Sequence, residues 1–168
     1  RISGTDSFNI VKKISKNMPT TPNKATFNNI ELNNNNKIDQ TITTYFKCPK
    51  SYTGEDMVEI STHGGSAIIK KILYILVNNK NTRIAEPGEF TRRAFENNKL
   101  DLTQVEAIAD LVNSETEAQR KQAIRQLDGQ LTKKTKEISD KILKILADAE
   151  AIIDFSDEEL PKNLVKNI

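Results

Sequence analysis

Phe8, Ile10, Val11 and Ile14 recur near helical spacing between Ser7 and Lys16, which predicts a short amphipathic helix with the Ser7 hydroxyl available as a cap. Pro19 and Pro22 break it. Ala25 to Leu32 and Gln40 to Phe46 favour strands, and the Asn33 to Asn36 run between them supplies a turn, because asparagine tolerates left-handed conformations; the pair predicts a hairpin. Met57 to Thr62 alternates as a third strand, with Val58 and Ile60 on one face and Met57, Glu59 and Ser61 on the other. Gly64 and Gly65 end it. Ala67 to Val77 is densely apolar (Ile68, Ile69, Ile72, Leu73, Ile75, Leu76) and predicts a buried helix packed on that sheet. Thr82 to Ala85 fits a short strand, and Pro87-Gly88 opens a helical stretch through Phe95, closed by Asn97 and Asn98.

After Lys99 the pattern changes: prolines vanish until Pro161, and Ala-, Leu/Ile- and charge-rich sequence takes over. A domain boundary is expected here, with residues 1–98 forming an α+β domain of mixed sheet and helix and residues 99–168 opening an all-α domain. Thr103 with Glu106, and Ser114 with Glu117, have capping-box spacing, with a bend at Asn113. Ile124, Leu127, Leu131, Ile138, Ile142, Ile145, Ala149 and Ile152 form an apolar stripe along one long helix, Glu117 to Ile153, of about 55 Å. One further helix, Thr103 to Val112, is too little to cover it, so the stripe calls for partner helices and the chain reads as incomplete. Gly129 inside the stripe costs about 1 kcal/mol relative to alanine, which points to close packing or a local bend.

The 168 residues suffice for one domain or a small domain with a helical appendage. Twenty-five Lys and Arg against 23 Asp and Glu leave a net charge of +2, so any nucleic-acid contact has to be local. The single cysteine, Cys48, makes no internal disulfide, and no apolar run approaches the roughly 18 residues of a membrane span. A cytoplasmic, bacterial protein is expected, an organellar one fitting as well. The first residue is Arg1 rather than Met, so the natural N-terminus and any targeting signal are out of view.

Seven stretches, in order along the chain, resemble one family, the tRNA uridine-modification GTPases called MnmE or TrmE. They are Arg1-Ile2-Ser3-Gly4; Ser51-Tyr52-Thr53-Gly54-Glu55-Asp56 running into Glu59; His63-Gly64-Gly65; Pro87-Gly88-Glu89-Phe90-Thr91-Arg92-Arg93-Ala94-Phe95; Asn98-Lys99-Leu100-Asp101-Leu102; Glu106-Ala107-Ile108-Ala109-Asp110-Leu111; and Ile153-Asp154-Phe155-Ser156-Asp157-Glu158-Glu159. The resemblance implies an N-terminal tetrahydrofolate-binding and dimerising domain, like that of aminomethyltransferases, then a helical domain interrupted by a Ras-like G domain. It further implies a homodimer that works with a flavin-dependent partner subunit similar to MnmG (GidA). Together they use a one-carbon unit of 5-formyl- or methylene-tetrahydrofolate on the wobble uridine of tRNA, with GTP, Mg2+ and K+ in the G domain.

Glu59, Arg1 and Lys99 match the folate-contacting positions that the resemblance carries over. A carboxylate at Glu59 offers two acceptors matching the ring N–H and amino donors on a pterin edge. Without the resemblance it reads as a solvated glutamate. Arg1 and Lys99 are cations suited to an anionic glutamate tail and to carbonyl acceptors, and otherwise read as surface charges. His63-Gly64-Gly65, between strand and helix, could cradle an anion, though a tight turn needing glycine is the simpler account. Cys48 reads as a small packing residue rather than a nucleophile. Between Arg120 and Lys141, seven Lys or Arg against three Asp or Glu suggest either an RNA-phosphate contact or the solvated face of a helix. Gly129 to Thr135 (GQLTKKT) lacks the glycine before the lysine that a phosphate loop needs, so this sequence is expected neither to bind nor to hydrolyse GTP. Two other classes stay open: an aminomethyltransferase-like enzyme, which would continue into β structure after Lys99, and a non-catalytic dimerisation or RNA-docking module.

Overall fold

The computed structural model describes residues 1–32 and 36–154, which fall into two compact units, Arg1–Asp101 and Leu102–Ile168. In the first, strands β1 (Ile2–Ser3), β2 (Ala25–Leu32), β3 (Asn36–Phe46) and β4 (Met57–Ser61) accompany helices α1 (Ser7–Lys12), α2 (Ser66–Val77) and α3 (Glu89–Glu96). The strands form one antiparallel sheet in the order β1-β4-β3-β2.

Strand pairing sorts the side chains. Tyr45 lies opposite Val58 and Asn28 opposite Thr41, so these residues face one side with Ile30 and Thr43, and there they meet Ile10, Val11 and Ile14 and the inner stripe Ile72, Ile75 and Leu76 of α2. Phe27 lies opposite Ile42, and Thr44 opposite Glu59, on the outer face. Phe27 and Ile42 are 61% and 51% exposed, whereas Ile30 and Val58 are fully buried. The buried side also holds a polar seam. Asn28 donates to Ser15 and to Thr43 Oγ1 (3.2 Å) and accepts from the Asn17 N–H (3.0 Å), which ties the segment after α1 to β2 and satisfies an otherwise costly buried amide.

Several elements differ from expectation. The second hairpin strand starts at Asn36, ahead of Gln40, with a bulge between Ile30 and Glu31; the turn residues 33–35 lie outside the described residues. Helix α1 stops at Lys12, because Ser15 leaves it to bridge Ile30, and Ser7 is no cap: it begins the helix and donates to the Asp56 carbonyl at 2.9 Å. α2 is buried on one side only, since a two-layer unit offers it a single sheet; Ile69, Leu73, Tyr74 and Val77 are exposed. Residues 82–86 pair with no strand, and the Thr82 hydroxyl instead lies 2.6 Å from the Leu76 and Asn79 carbonyls at the end of α2.

In the second unit, α4 (Leu102–Val112) lies where the helix Thr103 to Val112 is expected, and α5 (Glu117–Leu127) and α6 (Gln130–Asp154) replace the expected single long helix. Gly129 causes the break: its φ of +79° leaves the helical region, and nothing lies within 4 Å of a Cβ built there, so the glycine serves a bend rather than close packing. The capping box is Thr116 with Gln119, two residues beyond the expected Ser114 pair, while Ser114 donates back to Leu111. Thr103 sits inside α4, which begins at Leu102, and its hydroxyl meets that of Thr132 at 2.8 Å. Ala107 and Ala123 are buried, whereas α6 buries no residue and exposes Leu131, Ile138, Ile142, Leu143, Ile145, Leu146 and Ile153. No described helix is long and apolar enough to cross a membrane. The family-like stretch from Phe155 to Glu159 lies outside the described residues.

An ion-pair chain seats α3. Glu89, 2% exposed, accepts from Arg83 Nη2 (2.6 Å) and Nη1 (2.8 Å), from Arg93 Nη2 (2.7 Å) and from the Glu86 N–H (2.8 Å); Arg93 Nη1 continues to Glu55 at 3.0 Å. The Arg83 pairing first, then the Glu86 N–H and Arg93, hold the Glu89 carboxyl far below the usual carboxylate range. A carboxyl depressed in the folded state stabilises it above the unfolded value and loses that contribution as pH falls.

Two measurements check this fold. Ile30→Ala should cost about 2–5 kcal/mol in urea unfolding and Gln40→Ala, on the exposed side of β3, no more than about 0.5 kcal/mol, and equal costs would mean the buried face is assigned wrongly. Glu89→Gln should be less stable than wild type at pH 7, and its stability should fall less steeply between pH 7 and about pH 3; parallel curves would remove Glu89 from the acid response.

Candidate functional site

Antiparallel pairing of Ile2 with Val58 and Ser3 with Met57 carries Arg1 to the position beside Glu59. Arg1 Nε lies 2.7 Å from Glu59 Oε1, with the two side chains 48% and 34% exposed. Such a half-solvated pair contributes about 0–1 kcal/mol to stability, so its geometry matters more than its strength. Glu59 projects from the outer face of β4, away from the apolar core.

The Arg1 guanidinium also sits 5.0 Å from the centroid of the Tyr52 ring, whose hydroxyl is 2.9 Å from Thr91 Oγ1 on α3. Tyr52 belongs to a tightly held loop: Ser51 donates to the Glu55 carbonyl (2.5 Å), and the Ser3 hydroxyl meets Thr53 Oγ1 (2.6 Å) and donates to Glu55 Oε2 (2.8 Å). Arg93 adds the ion pair to Glu55 already described. Gly54 has a φ of +80°, and a Cβ there would fall 3.1 Å from Asn97 Cβ and 3.3 Å from Lys99 Cγ, so a side chain is excluded on both counts.

Lys99 reaches the same loop from its other side, donating to the Pro49 carbonyl at 3.1 Å, next to Asn97, which donates to the Thr53 carbonyl at 2.7 Å. The structure thus joins Arg1 to Glu59 directly and brings Lys99 to the loop that carries Tyr52. The arrangement supplies a carboxylate acceptor, a guanidinium and an aromatic ring, with an ammonium on the far edge of the loop. A separate cleft of 340 Å³ opens between β1, the end of α2 (Leu73, Leu76, Val77) and Arg83; Arg1, Ser3 and Arg93 line it as well, whereas Glu59, Tyr52 and Lys99 do not.

Sequence reasoning missed Tyr52, Glu55, Arg93 and Thr91 as parts of the site. All four stand in family-like stretches, but pairings such as Glu55 with Arg93, 38 positions apart, cannot be read from either stretch. His63 proves to be tied down: its Nδ1 lies 2.7 Å from Asp39 Oδ1, and its N–H donates to Asp39 Oδ2 at 2.9 Å. Burial raises the Asp39 carboxyl, but the His63 N–H and ring and the Gln40 N–H outweigh it and hold the group below its ordinary value. Neither Gly64 nor Gly65 has a positive φ, so a glycine-requiring turn is not what they provide. Cys48 is exposed rather than packed. Within the basic stretch, Arg120 is paired with Glu117 at 2.8 Å.

Comparison with known proteins accounts for both units. Residues 1–99 match the family model described as GTP-binding protein TrmE N-terminus, and residues 102–168 match the MnmE helical domain. Proteins named tRNA modification GTPase MnmE are similar throughout. That of Pelagibacter ubique is 43% identical over 100% of this chain and 38% of its own length, and that of Aquifex aeolicus 44% over 96% and 36%. That of Parvibaculum lavamentivorans is 50% identical over 78% of this chain and 30% of its own length. The chain therefore spans about a third of the length of these relatives. With an antiparallel sheet and helices followed by a helical unit, each matched by its own family model, the chain belongs to the TrmE (MnmE) family, of which it represents the N-terminal and helical parts.

Proposed function

We propose that this chain is the tetrahydrofolate-binding and dimerising part of a tRNA modification GTPase, together with the first helices of its helical domain. The observation that carries this reading is Glu59. Its Oε1 is held by Arg1, while Oε2 accepts no hydrogen bond among the described residues and stands on an open sheet face. A free carboxylate oxygen beside an aromatic ring and a guanidinium fits the N–H donor edge of a pterin. Glu59 would hold that edge, Arg1 the neighbouring carbonyl acceptors, and Lys99 an anionic group at the loop's far side. The bound 5-formyl- or methylene-tetrahydrofolate supplies the one-carbon unit; the chain's own residues bind and orient it.

The relatives' name, tRNA modification GTPase, supports a whole protein that modifies tRNA; action on the wobble uridine, in the cytoplasm and with a flavin-dependent partner subunit, is what the family resemblance implies. GTP hydrolysis, with Mg2+ and K+, would reside outside these 168 residues, since GQLTKKT lacks the glycine of a phosphate loop. A homodimer is supported by the cross-strand pair Phe27 and Ile42, large apolar side chains left exposed on the face that carries Glu59. An aminomethyltransferase-like enzyme is disfavoured because the described residues after Leu102 are helical.

Isothermal titration with 5-formyltetrahydrofolate should show binding to this chain, weakened about tenfold to a hundredfold in Glu59→Gln, as expected for losing a charged acceptor. Equal affinities would remove Glu59 from the site, and absence of binding to the unaltered chain, combined with salt-sensitive tRNA binding, would favour a docking module.

A further inference from the structure

We infer that Tyr52 is the positioning residue of the Arg1–Glu59 pair; this rests on the reading of that pair as the folate site. Arg1 touches Glu59 through Nε alone, at 2.7 Å, and one hydrogen bond leaves a half-exposed guanidinium free to pivot about it. A second fixed point is needed to set the plane of the group. The Tyr52 ring, 5.0 Å from the guanidinium carbon, supplies that point. An aromatic face attracts a cation without consuming any N–H, so the remaining guanidinium donors stay available to a ligand.

The ring is itself fixed in a way that a chance surface contact is not. Its hydroxyl meets Thr91 Oγ1 at 2.9 Å, which ties it to α3, and its neighbours Ser51 and Thr53 are buried. Thr53 is held by Ser3, two residues from Arg1, and Glu55 is held by Arg93 of the same helix. The Tyr52 ring therefore sets the tip of Arg1, and through Arg1 the acceptor geometry of Glu59. Its effect on a ligand runs through Arg1, which distinguishes positioning from direct contact.

The test is a double-mutant cycle on this chain, with titration by 5-formyltetrahydrofolate and a ligand-independent NMR readout of the Arg1 Nε–H. Tyr52→Leu should weaken binding by about threefold to thirtyfold, the span of a cation–π contact from exposed to desolvated, and Tyr52→Phe, which keeps the ring, by no more than about threefold. In an Arg1→Ala background Tyr52→Leu should have no further effect. In the folate-free protein, the Arg1 Nε–H resonance should be dispersed and slowly exchanging in the unaltered chain and in Tyr52→Phe, and collapsed toward the free-arginine position in Tyr52→Leu with backbone amides elsewhere unmoved. An unmoved Arg1 resonance in Tyr52→Leu, or an undiminished Tyr52→Leu penalty in the Arg1→Ala background, overturns the inference. If no variant binds folate while the Arg1 resonance still follows Tyr52, positioning stands and the folate reading falls.

Discussion

The antiparallel register of β1 on β4 is the constraint on which the rest of the first unit depends. Two strand residues, Ile2 and Ser3, do three things at once: Ile2 packs against the apolar core, Ser3 fixes Thr53 and Glu55, and the pairing with Val58 and Met57 brings Arg1 level with Glu59. A one-residue slip would turn Arg1 toward the core face and Ile2 toward solvent, and the carboxylate would lose its cation. The buried side of β4 makes such a slip costly, because Val58 is fully enclosed by residues of α1, α2 and β3.

Around that register the chain builds rigidity from charge and hydrogen bonding rather than from apolar mass. The sequence Glu55, Arg93, Glu89, Arg83 alternates in sign across a loop, a helix and an extended segment, so that each carboxylate is held by a guanidinium and none is left uncompensated. Gly54 admits Asn97 and Lys99 to the loop's other side. The outcome is a short loop clamped from three directions with Tyr52 projecting beside Arg1, a form of pre-organisation that lowers the entropic cost of ordering a site around a ligand.

Much of this was legible in the sequence where a single periodicity or residue type decides the outcome. Alternation in Met57–Ser61 placed Glu59 opposite Val58 and Ile60, and the strand at Ala25–Leu32 and the helix at Ser66–Val77 are found close to where their patterns lie. What was not legible depends on competition or distance. Ser7 looks like a cap but finds a better partner in the Asp56 carbonyl, 49 positions away. The Thr116–Gln119 box outcompetes Ser114 because both of its reciprocal bonds form. Gly129 could have signalled packing or bending, and only its backbone angle decides. Of the site, Arg1, Glu59 and Lys99 came from family likeness, whereas the role of Tyr52 required knowing that α3 returns to β1.

The most direct test of the central claim, that the outer edge of β4 beside Arg1 and the 51–55 loop receives the ligand, is amide chemical-shift mapping of the ¹⁵N-labelled chain with 5-formyltetrahydrofolate. Shifts should concentrate at Ile2–Ser3, Tyr52–Glu55 and Val58–Ile60. Shifts confined to the cleft around Leu73 and Arg83, with β4 silent, would contradict the account.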